Sequence, residues 1–384
     1  MAATTLTPRL YYLDWLRVIA FSLLIPYHAG LIFVDWGFHI QNNQLTEDLK
    51  LPMLFVNQWR LPLLFFISGV GTRLALNRRT PGEYIRDRTR RLFIPLVAGI
   101  LLVIPPQVYF ERLNHGIDYK SYLLFYPHFF ELDNFTWNHL WFIVYLLTYS
   151  LVLLPLFLLL RNKKSTSKIV SFLSGYYGLL WLVIPLFLAE LLLRKSWPDT
   201  RNLISDWYNF TFYIFCMVYG FYISLYDQFW LRIEADRRGY LIGGVLSFSV
   251  IYWGWHAPGE GFLETIPTGE SIFSFVKCLN IWCWILCFVG FARHYLQKGN
   301  AFLRYTNEAV YPFYILHQTV LILIGYYVIQ WPVTISLKYI IIVGGTFLGT
   351  VILYEFVIRR VALLRLLFGL KPDSTNKIVK NYVA

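Results

Sequence analysis

The stretch LDWLRVIAFSLLIPYHAGLIFV, Leu13 to Val34, places Asp14, Arg17 and His28 among apolar residues. Imidazole can take up and return a proton near neutral pH. Ionisable groups at bilayer depth are costly and mark pathways or reaction sites. If the stretch is one α-helix, Arg17 and His28, 11 residues apart, project within about 20° of each other and sit roughly 16 Å apart along the axis. One face then carries a cation at one depth and an imidazole at another. Asp14 stands three residues before Arg17, a spacing that lets the two pair. Pro26 removes one backbone hydrogen bond and frees the Ser22 carbonyl just below His28. The plainer alternative is that Arg17 snorkels to the headgroups and His28 bonds a neighbouring helix.

Further ionisable groups recur in the later apolar stretches. Arg60, in LPMLFVNQWRLPLLFFISGVGTRLAL, falls at a depth similar to that of His28 and has no carboxylate in its own stretch, so its partner comes from elsewhere or from a substrate. The small residues Ser68-Gly69-Val70-Gly71 allow two helices to approach closely. His139 opens WNHLWFIVYLL, His317 with Gln318 lies within YPFYILHQTV, and Glu355 lies in LYEFVIRR. Between Arg73 and Arg91 there are seven arginines and no lysine. Lysine would set topology equally well, whereas the guanidinium fork suits phosphate, so this segment reads as a place for a phosphate-rich ligand beside its topogenic role.

These residues must be held by helices in lipid. The 384 residues are 57% hydrophobic and 15% charged, with a mean hydropathy of +0.50. Soluble domains carry about 25% charged residues, so a soluble enzyme, a disordered chain and a disulfide-rich secreted domain are excluded. The expectation is an all-α membrane protein forming one domain over 1–384. About ten spans are placed near 11–35, 51–76, 92–110, 139–160, 169–193, 207–226, 239–256, 273–296, 308–330 and 335–358. The fifth is interrupted by Pro185. With this placement the alternate loops carry 24 Lys and Arg on one side and 8 on the other, which puts both termini in the cytoplasm. The net charge of +12 is spread between apolar runs and does not read as nucleic-acid binding. The four cysteines Cys216, Cys278, Cys283 and Cys287 lie inside apolar runs without Cys-x-x-Cys spacing, so they read as core residues and no metal is expected.

Taken together, Arg17-x(10)-His28, Phe65-Phe66-Ile67-Ser68-Gly69, Arg88-x-x-Arg91-x-x-x-Pro95, His139-Leu140-Trp141-Phe142 and Tyr314-x-Leu316-His317 resemble the acyltransferase-3 family of integral-membrane O-acyltransferases. The ending Leu353-Tyr354-Glu355, Arg359, Phe368-Gly369, Lys371-Pro372 looks most like the branch that adds succinyl groups to periplasmic glucans. That branch has paired histidines where this chain has His317-Gln318.

The resemblance implies an acyl-coenzyme A donor, succinyl-CoA or acetyl-CoA, on the cytoplasmic side, and a carbohydrate hydroxyl as acceptor outside. The protein would be a multi-pass protein of a bacterial inner membrane, with lipids as its other partners and an oligomeric state the resemblance does not set. It implies His28 as catalytic base or acyl carrier, with Arg17 and Asp14 beneath it. Arg60, His139, His317 and Ser68 would lie towards the substrates, and Arg73, Arg88 and Arg91 at the phosphates of the donor. Intramembrane Arg and His also mark transport pathways, so a transporter or flippase of a small anionic or lipid-linked molecule is the alternative. Such proteins commonly carry internal repeats, and none stands out in this chain.

Overall fold

Lipid offers no hydrogen-bond partners, so a chain this apolar must satisfy its backbone within each segment, and helices do that. The computed structural model describes residues 9–162, 167–256 and 269–371, and every regular element among them is helical. Lys163, Lys164, Glu260, Glu264, Pro372, Lys377 and Lys380 lie outside the described residues. In chain order the helices are α1 (Tyr11–Ser22), α2 (Leu24–Leu31), α3 (Lys50–Leu76), α4 (Pro81–Arg88), α5 (Ile94–Leu102), α6 (Ile104–Asn114), α7 (Tyr122–His128), α8 (Trp141–Val152) and α9 (Leu154–Asn162). They continue as α10 (Ser167–Leu173), α11 (Val183–Leu193), α12 (Trp207–Ile223), α13 (Asp227–His256), α14 (Gly269–Tyr295), α15 (Ala301–Val328), α16 (Ile335–Ile352) and α17 (Ala362–Leu367).

Five helical stretches among the described residues are long and apolar enough to cross a membrane: Lys50–Leu76, Pro81–Asn114, Gly269–Tyr295, Ala301–Val328 and Ile335–Ile358. The number rises to seven if Asn138–Val152 with Leu154–Asn162, and Trp207–Ile223 with Asp227–Trp255, each form one broken span. The expected ten is therefore carried only in part by unbroken helices. The first apolar run is divided at Leu23, three residues before Pro26. The fifth is divided upstream of Pro185. There Tyr177 takes a left-handed conformation at φ 52° and donates its backbone N–H to Asp236 at 3.0 Å. Pro185 itself lies in the first turn of α11, where a missing N–H leaves no intrahelical bond unmade.

The chain forms two compact units that interleave along the sequence. Among the described residues the first contains 9–20, 57–74, 156–162, 167–256 and 269–307; the second contains 21–56, 75–155 and 308–371. In the first unit α3 and α12 approach backbone to backbone. A Cβ on Gly69 would collide with the Met217 carbonyl, and one on Gly220 with the Phe66 carbonyl. The Lys277–Glu190 pair at 2.8 Å ties α14 to α11. The four cysteines are free and buried.

In the second unit, Ala29, Ile32, Phe33, Ile40, Leu321, Ile322, Val328 and Ile342 form an apolar cluster from α2, the following loop, α15 and α16. Lys338 is buried at its edge and donates to Asn42 Oδ1 at 2.9 Å and to the Ile329 carbonyl at 2.7 Å. Helix α4 starts on a capping box, Thr80 with Glu83, after which Pro81 fits the first helical position. It runs into a π-helical turn, Thr89–Phe93, before α5. Pro95 has no N–H to give the Arg91 carbonyl, so the α-pattern cannot close there. Gly369, at φ 72°, lies against that carbonyl and the Tyr311 ring, where a side chain would not fit. This accounts for the Phe368-Gly369 pair near the chain's end.

Candidate active site

The second unit brings two of the expected histidines into contact. His28 Nδ1 lies 2.9 Å from His317 Nε2, and the rings are nearly parallel with centroids 5.1 Å apart. His317 is buried and its Nδ1 lies 2.7 Å from the Tyr314 carbonyl. A carbonyl only accepts, so Nδ1 of His317 carries the hydrogen. In the neutral ring Nε2 then holds a lone pair and accepts from His28 Nδ1–H. The neutral His28 ring consequently keeps its own lone pair on Nε2. His28 is partly exposed. The backbone of α15 thus sets the tautomers of two imidazoles in series and leaves a basic nitrogen on the second.

His139 belongs to the same unit and is buried. Its Nε2 donates to the Ile315 carbonyl at 3.0 Å, and its ring meets that of His317 edge-on at 5.2 Å. The Tyr314 hydroxyl donates to the His139 carbonyl. His139 is therefore placed as a neighbour that packs against His317.

Beside the histidines runs a chain of side-chain hydrogen bonds that sequence reasoning did not find. Gln107 donates to Thr319 Oγ1 at 2.7 Å and accepts from Gln318 at 3.2 Å. Gln318 also donates to His39 Nε2 at 2.9 Å, and His39 Nδ1 donates to Glu111 Oε2 at 2.6 Å. One signal was present: Gln107 and Glu111 stand four apart and share a face of α6. His39 comes from a loop, and no spacing announces it.

The remaining predicted residues belong mostly to the first unit. Asp14 accepts from Arg9 at 2.7 Å, from Arg17 at 3.4 Å and from Asn307 at 3.1 Å. Arg17 also donates to Asn307 Oδ1. The expected Asp14–Arg17 pair is present, and Asn307 of α15 completes it. Arg60 is buried on α3, next to Trp59, whose ring packs on Phe288 with centroids 4.4 Å apart. The Ser68 hydroxyl donates to the Leu64 carbonyl at 2.8 Å, a bond internal to its own helix. Arg73 is in this unit too, whereas Arg88 and Arg91 are in the second. Arg17 falls in the first unit and His28 in the second, the boundary lying between Ala20 and Phe21.

Arg88 precedes the π-helical turn, Arg91 lies within it, and both are partly exposed. The Arg88 guanidinium lies over the Tyr84 ring at 4.8 Å, and Arg91 pairs with Asp87 at 2.9 Å. A cation stacked on an aromatic face keeps donors in the ring's plane direction available to an anion. Among the described residues no group of three His, Cys, Asp or Glu side chains could hold a metal ion.

Residues 10–355 match the acyltransferase-3 family, described as an acyltransferase domain. The chain is 25% identical over 376 residues to "Glucans biosynthesis protein C" of Salmonella paratyphi B, covering 95% of this chain and 96% of that protein. The proteins of the same name from Salmonella schwarzengrund and Salmonella dublin are 24% and 25% identical over the same share of both chains. No solved structure matches the chain.

Proposed function

The chain belongs to the acyltransferase-3 family and is an acyltransferase, and on that footing we propose that it moves a succinyl or acetyl group from cytoplasmic acyl-coenzyme A to a hydroxyl of a glucan or related carbohydrate outside the cytoplasm. The name shared by its relatives supports a glucan acceptor. In this reading the chain crosses a bacterial inner membrane about ten times as one domain, with both termini cytoplasmic, which the 24 to 8 division of positive charge favours.

The observation that carries the chemistry is the Tyr314 carbonyl–His317–His28 series. His28 Nε2 takes the proton of the acceptor hydroxyl as its oxygen attacks the thioester carbonyl. The C–O bond forms, the C–S bond breaks, and the proton returns from His28 to the departing thiolate. Balance is kept without any further reactant. Attack by His28 Nε2 itself, giving an acyl-imidazole that the hydroxyl then resolves, uses the same lone pair. As His28 becomes positive it remains a donor to His317 through Nδ1, so the pair stabilises the imidazolium. Arg73, Arg88 and Arg91 would bind the phosphates of the donor. Arg60 would stabilise the oxyanion or pair with the free carboxylate of a succinyl group.

The test is acyl transfer by the purified protein from succinyl-CoA or acetyl-CoA to glucan, with the ester read by mass spectrometry. General-base catalysis contributes about 10²- to 10⁴-fold, so His28→Ala should lose activity on that scale while folding and inserting normally. A fully active His28→Ala protein would remove the assignment.

A further inference from the structure

His39 and Glu111 form a carboxylate–imidazole pair that the proposed chemistry leaves unused. His39 sits on the loop whose Phe38 meets the His28 ring, and Glu111 reaches it from α6. Residues 35–49 contain no helix, and Gly37 turns the chain at φ 78°. The loop is closed at its base by Lys50, which pairs with Asp35 at 2.9 Å and Glu47 at 2.7 Å. Further along, the Asn42 and Thr46 N–H groups bond the Ile32 and Phe33 carbonyls at 2.9 and 2.8 Å. Phe38 and Ile40, on either side of His39, pack into the apolar cluster of the unit.

Phe38 lies nearly parallel to the His28 imidazole, with centroids 6.1 Å apart and 15° between the planes. The adjacent His39 is held from two helices: by Glu111 of α6 on Nδ1 and by Gln318 of α15, the residue after His317, on Nε2. The loop's apolar contacts fix no direction of their own. The two hydrogen bonds of His39 do have direction, and they register Phe38 to the same helix that carries His317.

We propose that His39, braced by Glu111, is a positioning residue for His28 and acts through the Phe38 ring. This rests on His28 being the reacting imidazole. Losing the brace lets the ring that backs His28 shift, and a misplacement of about 1 Å at a reacting group lowers turnover by about 10²-fold. KM for the donor should change little, since Arg88 and Arg91 meet Tyr84 and Asp87, whereas His39 meets Glu111 and Gln318.

The experiment is a coupling cycle on the full chain with His39→Ala, Phe38→Leu and the double variant, measuring kcat, KM for acyl-CoA and thermal unfolding. Each single variant should lower kcat about 10- to 100-fold with KM for acyl-CoA within about twofold. The double variant should lose no more than the worse single one, because both act on one path. Glu111→Gln, whose amide oxygen can still accept from His39 Nδ1–H, should lose less than Glu111→Leu; this comparison decides the matter if His39→Ala does not fold. Turnover within twofold of the parent in His39→Ala, or losses that multiply in the double variant, would overturn the proposal. An inactive His28→Ala beside a fully active His39→Ala sinks this inference alone, whereas an active His28→Ala sinks the reading beneath it.

Discussion

His317 gives the sharpest handle on the site, because its two nitrogens do separate jobs. Nδ1 is anchored on the Tyr314 carbonyl at 2.7 Å and Nε2 receives His28 Nδ1–H at 2.9 Å. Replacement by leucine fills similar space and removes the acceptor. His317 is 1% exposed, so the His28 N–H is aimed at a buried position. A stranded buried N–H costs about 1–3 kcal/mol. The His28 ring can escape that cost by shifting its hydrogen to Nε2, which removes the basic lone pair from the reacting side. Either way the productive state is disfavoured by about 1–3 kcal/mol, or about 5- to 150-fold in rate. His317→Gln presents an amide oxygen to the same N–H and should recover part of that loss. The assay is single-turnover formation of the carbohydrate ester from acyl-CoA, with thiol release measured in parallel. A His317→Leu protein that transfers within twofold of the parent rate, or a His317→Gln protein no better than leucine, would refute the tautomer argument.

Two other outcomes follow from single residues. If Arg60 pairs with the carboxylate of a succinyl group, Arg60→Ala removes a charged hydrogen bond of about 1.5–3 kcal/mol, so kcat/KM for succinyl-CoA should fall about 10- to 150-fold further than for acetyl-CoA; equal losses would assign Arg60 to the oxyanion instead. Gly220→Val drives a side chain into the Phe66 backbone and should destabilise by about 1–3 kcal/mol or more, read as a lowered unfolding midpoint in detergent; an unchanged midpoint would show that α3 and α12 can separate freely.

How much of this was legible in the sequence follows the reach of each interaction. The all-helical class was legible because lipid leaves apolar backbone few choices. The Asp14–Arg17 pair was legible because three residues of helix fix it, and the close approach at Gly69 because small residues have few other reasons to cluster. Pro26 announced a lost hydrogen bond at Ser22, but the sequence reads the first run as one helix over 11–35, and its division at Leu23 was not legible. What stayed hidden joins residues far apart in the chain. Asn307 meets Asp14 across 293 positions and Gln318 meets His39 across 279. No local spacing encodes such encounters. Proline at 185 pointed to a break in its span, yet its place in a first turn made it harmless, and the division fell where Tyr177 and Asp236 meet. The π-helical turn at Thr89–Phe93 was also unread, although Pro95 supplied its cause.

The paired glycines of α3 and α12 have a bearing on movement. Where two backbones meet at Gly69 and Gly220 there is no side-chain layer between the helices, so rolling or sliding meets main chain directly. The two therefore travel as one stiff plank. Arg60, one helix stretch away on that plank, is a stationary post. The backbone of α3 that carries Arg60 is thereby held against α12, which itself meets α13 at a 109° bend.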